Sequence, residues 1–107
     1  MIEFGNPSEL ITIFGIEKMR ALFDEFRQDA FEKMSKTEQM SLEELRLTYH
    51  ALKSSALVFC MENFAQACGR IEDMILKNHL EKLEKEIKNS KLLLEEDIKL
   101  AEKSFSI

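Results

Sequence analysis

Apolar residues return every three or four positions along most of this chain, and few residues are present that could interrupt a helix. Ile16, Met19, Leu22, Phe23, Phe26, Ala30 and Met34 make one stripe of a helix from about Ile16 to Met34, with Glu17, Asp24, Arg27 and Gln28 mostly off it. After a polar connection over residues 35–40, a second helix opens at Ser41. There Ser41 and Glu44 form the S-x-x-E capping pattern. Its stripe is Leu42, Leu45, Tyr49, Leu52, Ala56 and Phe59. Leu47, Ala51, Ser55 and Val58 run beside that stripe, so this helix is expected to be wetted only on a narrow side, as a central element. A third helix, from Phe64 to about Lys77 with Asn63 as N-cap, turns Phe64, Ala67, Cys68, Ile71 and Ile75 inward. Asn78 and His79 break it. The last helix runs from about Leu80 towards Lys103, with Leu80, Leu83, Ile87, Leu94, Ile98 and Ala101 inward. Only one proline and three glycines punctuate the 107 residues, and no period-two run of Val, Ile and Thr points to a sheet. Four amphipathic helices with short links imply an all-α fold, an antiparallel up-and-down four-helix bundle. Pro7, Ser8 and Glu9 suit the start of a short N-terminal helix. That helix would cap one end of the bundle with Leu10, Ile11, Ile13 and Phe14, before Gly15 bends the chain. Residues 1–107 are expected to form one domain.

Charge and composition exclude several classes of partner. The net charge of −5, with no cluster of Lys or Arg clear of acidic neighbours, would repel nucleic acid. No apolar run approaches the roughly 20 residues that span a bilayer, so no membrane partner is expected. The N-terminus has neither the basic start nor the apolar core of a signal peptide, and a cytoplasmic protein is expected. Met1 favours a free-standing chain. Cys60 and Cys68 stand eight apart, not at C-x-x-C spacing, and read as buried thiols in a reducing compartment. His79, in Lys77-Asn78-His79, reads as a solvated turn residue. It has no i, i+4 relation to His50, so no metal site is expected. The methionines fall mostly in helix stripes and read as core. Glu95, Glu96 and Asp97 read as a solvent-facing acidic run.

His50 fits a plain bundle least well. It lies about 100° around the helix from Tyr49 and from Ala51. One turn away on its face are Arg46, Leu47, Lys53 and Ser54, with Leu57 two turns on; that face reads as basic and neutral, with no carboxylate closer than Glu43. An acid-poor patch in an acidic protein suits a negatively charged adduct on the ring. Imidazole is largely neutral near pH 7, so a ring nitrogen offers a lone pair to phosphorus with no base needed. The phosphoramidate so formed is a reactive donor. Lys53 at i+3 could set an ammonium beside the phosphoryl oxygens, and the Ser54 hydroxyl at i+4 could donate one hydrogen bond. Judged by helix position alone, these residues would be a surface histidine, a solvated lysine and a helix filler.

The surrounding residues favour the phosphoryl chemistry. His50-Ala51-Leu52-Lys53-Ser54-Ser55-Ala56 resembles the H-x-L-K-G-S-A signature of histidine phosphotransfer (HPt) domains. Phe64, Cys68, Ile71 and Glu72 fall where that family has L-x-x-x-C-x-x-L-E on the next helix. Phe14-Gly15 followed by a helix bearing Phe26 resembles the family's approach to its first long helix. The likeness spans roughly Ile11 to Leu100. It implies that His50 is the phosphoryl acceptor, that Lys53 neutralises the phosphoryl group, and that Glu72 stands close to the histidine. Two positions depart from the pattern. Ser54 replaces a glycine that lets a partner close to the ring, and Cys60 replaces a second glycine in the following turn, where positive φ is hard for cysteine.

The resemblance implies a carrier in a two-component phosphorelay, without an independent active site and without a cofactor. His50 would take a phosphoryl group from a receiver-domain aspartate and pass it to another. The receiver would hold Mg²⁺. Its partners would be response-regulator receiver domains and a hybrid sensor histidine kinase. Arg46, Leu47, Leu57, Ile13 and Glu72 would serve docking, and the chain would act as a monomer. The rival is a degenerate helical adaptor of this type that docks a receiver or kinase without being phosphorylated. The long last helix, with its near-heptad Leu and Ile, favours this rival somewhat, and a helical coiled-coil dimer is a third reading.

Overall fold

A computed structural model describes residues 15–105, and all their regular structure is helical. Helix α1 spans Ile16–Met34, α2 Leu42–Val58, α3 Glu62–Leu76 and α4 Leu83–Phe105, with a single 3-10 turn at Thr37–Gln39 between α1 and α2. The expected N-terminal helix, with Leu10, Ile11, Ile13 and Phe14, lies outside the described residues.

Local chemistry fixes the helix ends. Gly15 takes φ 83° just before α1, a conformation that side-chain-bearing residues adopt only with strain. The Ser41 hydroxyl accepts the Glu44 N–H at 3.1 Å, so the cap forms as expected. The Glu44 carboxylate accepts the Ser41 hydroxyl proton at 3.2 Å instead of reaching back to the backbone. Helices α2 and α3 end alike. Beyond α2, Cys60 takes φ 58°, its N–H bonds to the Leu57 carbonyl and that of Met61 to the Ala56 carbonyl. Beyond α3, Asn78 takes φ 56°, bonding to Ile75, while His79 bonds to Met74. Both are Schellman endings, which favour glycine or asparagine. The expectation that Cys60 would resist positive φ is therefore wrong. The two backbone bonds offset the roughly 1–2 kcal/mol that a left-handed residue costs.

The core gathers Met19, Phe23, Phe26, Ala30 and Met34 from α1, Leu45, Tyr49, Leu52 and Ala56 from α2, Phe64, Ala65, Cys68 and Ile71 from α3, and Leu83, Leu94, Ile98 and Ala101 from α4, with Phe59 and Met61 between α2 and α3. Helix α3 packs most extensively, against α2 on one side and α4 on the other, while α1 touches α2 and α4 more sparingly. Phe59 joins α1 to this pair, edge-on to Phe23 at 5.4 Å between ring centroids and tilted on Phe26 at 5.5 Å. Ser90 and Tyr49 are fully buried and satisfy each other. Ser90 donates to the Ile87 carbonyl at 2.6 Å, leaving its oxygen to accept the Tyr49 hydroxyl at 2.8 Å. Burial pushes the phenol's pKa well up, so it stays a donor.

Four expectations fail here. The second stripe of α2 is not packed: Leu47, Ala51, Ser55 and Val58 are exposed, as are Leu42 and, on α1, Leu22. Among the described residues only one face of α2 meets other helices, and the opposite face is exposed. Asn63 is not the cap of α3. Met61 occupies that position and supplies no side-chain bond. The cap comes instead from Asp97 on α4, whose carboxylate accepts the Phe64 N–H at 2.9 Å and the Asn63 side-chain amide at 3.4 Å. Asp97 is thus buried, while its neighbours Glu95 and Glu96 face solvent as expected. Cys68 is buried but Cys60 only half so, and neither is in a disulfide.

Candidate functional site

The rotation of α2 is set by Leu45, Tyr49, Leu52 and Ala56, all buried. His50, one residue past Tyr49, is carried about 100° off that stripe. This leaves it at the rim of the contact with α3 and largely in solvent, its side chain 63% exposed. On α3, burial of Cys68 and Ile71 places Glu72 at the same rim, with its side chain only 14% exposed. The two meet: His50 Nδ1 lies 2.7 Å from Glu72 Oε2. This corrects the acid-poor surroundings expected from α2 alone, since the nearest carboxylate comes from the neighbouring helix. A carboxylate in this contact can only accept, so it favours the tautomer with the proton on Nδ1 and the lone pair on Nε2.

Lys53 follows one turn later on the same face and is half buried. Its side chain lies across α3 at Gly69. His50 thus faces Glu72 and Lys53 faces Gly69, so a step of three forward on α2 is a step of three back on α3. Beneath them is the Cys68 thiol, pushed up to about 12 chiefly by burial, while the Lys53 charge pulls it down and the Glu72 charge pushes it further up. A thiol held protonated in this way is a poor nucleophile and a packing group.

Arg46, one turn before His50, grips Glu43 through both Nε and Nη2, which holds the Glu43 carboxyl below its usual range. The Arg46 charge is therefore matched within its own helix. It also senses the charge of Glu72, the carboxylate that meets the His50 ring. The Ser54 hydroxyl donates to the His50 carbonyl at 3.3 Å. Leu47 and Leu57 remain exposed on either side of the ring, Leu47 at 52%. The candidate residues of α2 and α3 are thus brought to one surface, and Ile13 lies outside the described residues. Sequence reasoning missed Gly69, although a glycine inside an amphipathic helix, where alanine would be about 1 kcal/mol better, is itself a signal.

Among the described residues no three His, Cys, Asp or Glu side chains converge on a metal-sized site, and no helix is long and apolar enough to cross a membrane. No curated protein and no solved structure matches the chain significantly. The family model of the Hpt domain does match, over residues 9–103, so nearly the whole of this all-helical chain, with the exposed His50 imidazole at the rim of two packed helices, belongs to the Hpt family of phosphocarrier modules.

Proposed function

We propose that His50 is the phosphoryl carrier of a phosphorelay and that Nε2 is the reacting atom. The observation that carries this reading is the 2.7 Å contact of Glu72 with Nδ1 of a ring that is otherwise in solvent. In the first step the Nε2 lone pair attacks the phosphorus of an aspartyl phosphate on a receiver domain. The N–P bond forms, the P–O bond to the aspartate breaks, and the aspartate leaves as carboxylate with that electron pair. The ring keeps its Nδ1 proton and becomes cationic, with the Glu72 carboxylate against the new charge. In the second step a carboxylate oxygen of another receiver attacks phosphorus. The N–P pair returns to Nε2, and neutral imidazole leaves. Lys53 would offset the phosphoryl charge. Ser54 could also donate to a phosphoryl oxygen, provided its hydroxyl turned from the His50 carbonyl.

The exposed Leu47 and Leu57, with Arg46 at the margin, would form the surface a receiver covers. The receiver supplies the Mg²⁺ and the surrounding acid, so the carrier needs only a reachable nucleophile. This reading makes the chain a cytoplasmic, monomeric partner of receiver domains and of the hybrid kinase that feeds them.

The test is transfer from receiver domains phosphorylated on aspartate with labelled acetyl phosphate. The chain should acquire label that is labile to acid and stable to alkali. Lys53→Ala should slow that transfer about tenfold, the weight of one charge-assisted hydrogen bond of ~1.4 kcal/mol, with the helical circular dichroism unchanged. A panel of receivers that binds the chain without labelling it would leave a docking adaptor instead. A Lys53→Ala chain that transfers at the full rate would remove the lysine from the mechanism.

A further inference from the structure

Gly69 is a half-buried glycine in the interior of α3, one residue from Cys68 and one turn before Glu72. Glycine is the poorest helix former after proline, so its presence in a packed helix calls for a steric reason. A Cβ built there would meet the Lys53 side chain first, with Nζ at 3.6 Å, Cε at 3.8 Å and Cδ at 3.9 Å, and no other group within 4 Å lies as near as these three atoms. A lone methyl would rest against the lysine in ordinary van der Waals contact. Anything longer would pass through the space its terminal carbons and ammonium occupy.

We propose that Gly69 is a positioning residue for Lys53: by carrying no side chain it lets the lysine lie back over α3, one turn from His50, instead of extending into the surface a partner must cover. The geometry gives each of two neighbouring rungs between α2 and α3 its own task. Glu72 holds the ring by a hydrogen bond, and Gly69 holds the lysine by leaving room for it. The consequence for transfer rests on the role proposed above for Lys53, whereas the placement of the lysine does not.

Two readouts keep these apart. The first is the acetylation of Lys53 by limiting acetic anhydride, read by mass spectrometry against the exposed Lys85 of the same molecule. Gly69→Leu should raise Lys53 labelling severalfold relative to Lys85, and Gly69→Ala should leave it unchanged. The second is phosphoryl transfer from the labelled receiver. Gly69→Leu should slow it about tenfold, as Lys53→Ala does, and the double variant should be no slower than Lys53→Ala alone, because both changes remove one interaction. Gly69→Ala should stay within about twofold of the unaltered chain, since a methyl fits. If Gly69→Leu loses its helical signal, Gly69→Gln puts a flexible polar chain through the same space and is held to the same expectations. Unchanged Lys53 labelling in a folded Gly69→Leu or Gly69→Gln chain overturns the proposal. So does a double variant whose losses multiply. If Lys53→Ala itself transfers normally, the role of the lysine fails, and the labelling readout alone decides whether Gly69 places it.

Discussion

Replacing His50 by glutamine is expected to remove all acid-labile phosphate from the chain while leaving its helices intact. The physical case rests on what the side chain does and does not touch. His50 is mostly in solvent, and its hydrogen bond with Glu72 joins two side chains at the rim of the α2–α3 contact, outside the core. Glutamine retains an amide N–H that can reach the same carboxylate, so the largely buried Glu72 keeps a donor. What is lost is the ring nitrogen lone pair, and no other group at the site replaces it. Cys68 is buried and held protonated, and the Ser54 hydroxyl has no base beside it in the described contacts. Transfer should therefore fall to background, with an unchanged circular dichroism spectrum and a denaturation midpoint close to that of the unaltered chain. Label that survives in His50→Gln would place the acceptor elsewhere.

The largest effect on stability is expected at Asp97, far from the reacting atom. The first N–H groups of a helix have no partner within it, and Met61, the N-cap residue of α3, supplies no side-chain cap. Asp97 supplies one from α4 by accepting the Phe64 N–H at 2.9 Å in a buried position, where its charge also meets the positive end of the α3 dipole. Hydrogen bonds to charged groups contribute about 1.5–3 kcal/mol, and a donor left buried and unpaired adds to the loss. Asp97→Ala should therefore destabilise the fold by about 2–3 kcal/mol in urea denaturation, and Asp97→Asn, which keeps an acceptor oxygen but not the charge, by roughly half as much. A surface carboxylate would give a change within about 0.5 kcal/mol, and such a result would show the cap to be dispensable. Because α3 carries Glu72 and Gly69, loosening its first turn should also weaken the platform on which the His50 ring and Lys53 are held.

These two residues also show what the sequence makes legible. Periodicity and one capping pattern were enough to find four helices, with ends within a few residues of those observed, because these signals are local: stripe spacing, Ser41 with Glu44, and the Asn78-His79 break. The His50 motif was legible for the same reason, since its members lie within one stretch of α2. Most of the misreadings concern contacts between distant parts of the chain. Asp97 stands in a run of three acids, and nothing local separates the buried one from its two solvated neighbours. The partner of His50 is 22 residues away, so the chemistry of α2 alone suggested an acid-poor patch where a carboxylate in fact sits. The placing of Glu72 near the ring came from family likeness and not from the residues themselves. Leu47, Ala51 and Val58 have the spacing of core residues but remain exposed, because hydrophobic periodicity marks a face without saying whether it meets another helix or a partner. Cys60 shows the converse, a local rule overridden by the Schellman bonds of Cys60 and Met61 to Leu57 and Ala56.

If Glu72 fixes the tautomer and leaves Nε2 to carry the phosphoryl group, the phosphorylated product itself will show it. The chain is labelled with ¹⁵N on its histidine rings, phosphorylated by a receiver domain, and observed by ¹⁵N and ³¹P magnetic resonance. The N–P coupling should appear at Nε2 of His50, with the proton still on Nδ1. Coupling at Nδ1, or phosphate on any other residue, would contradict it.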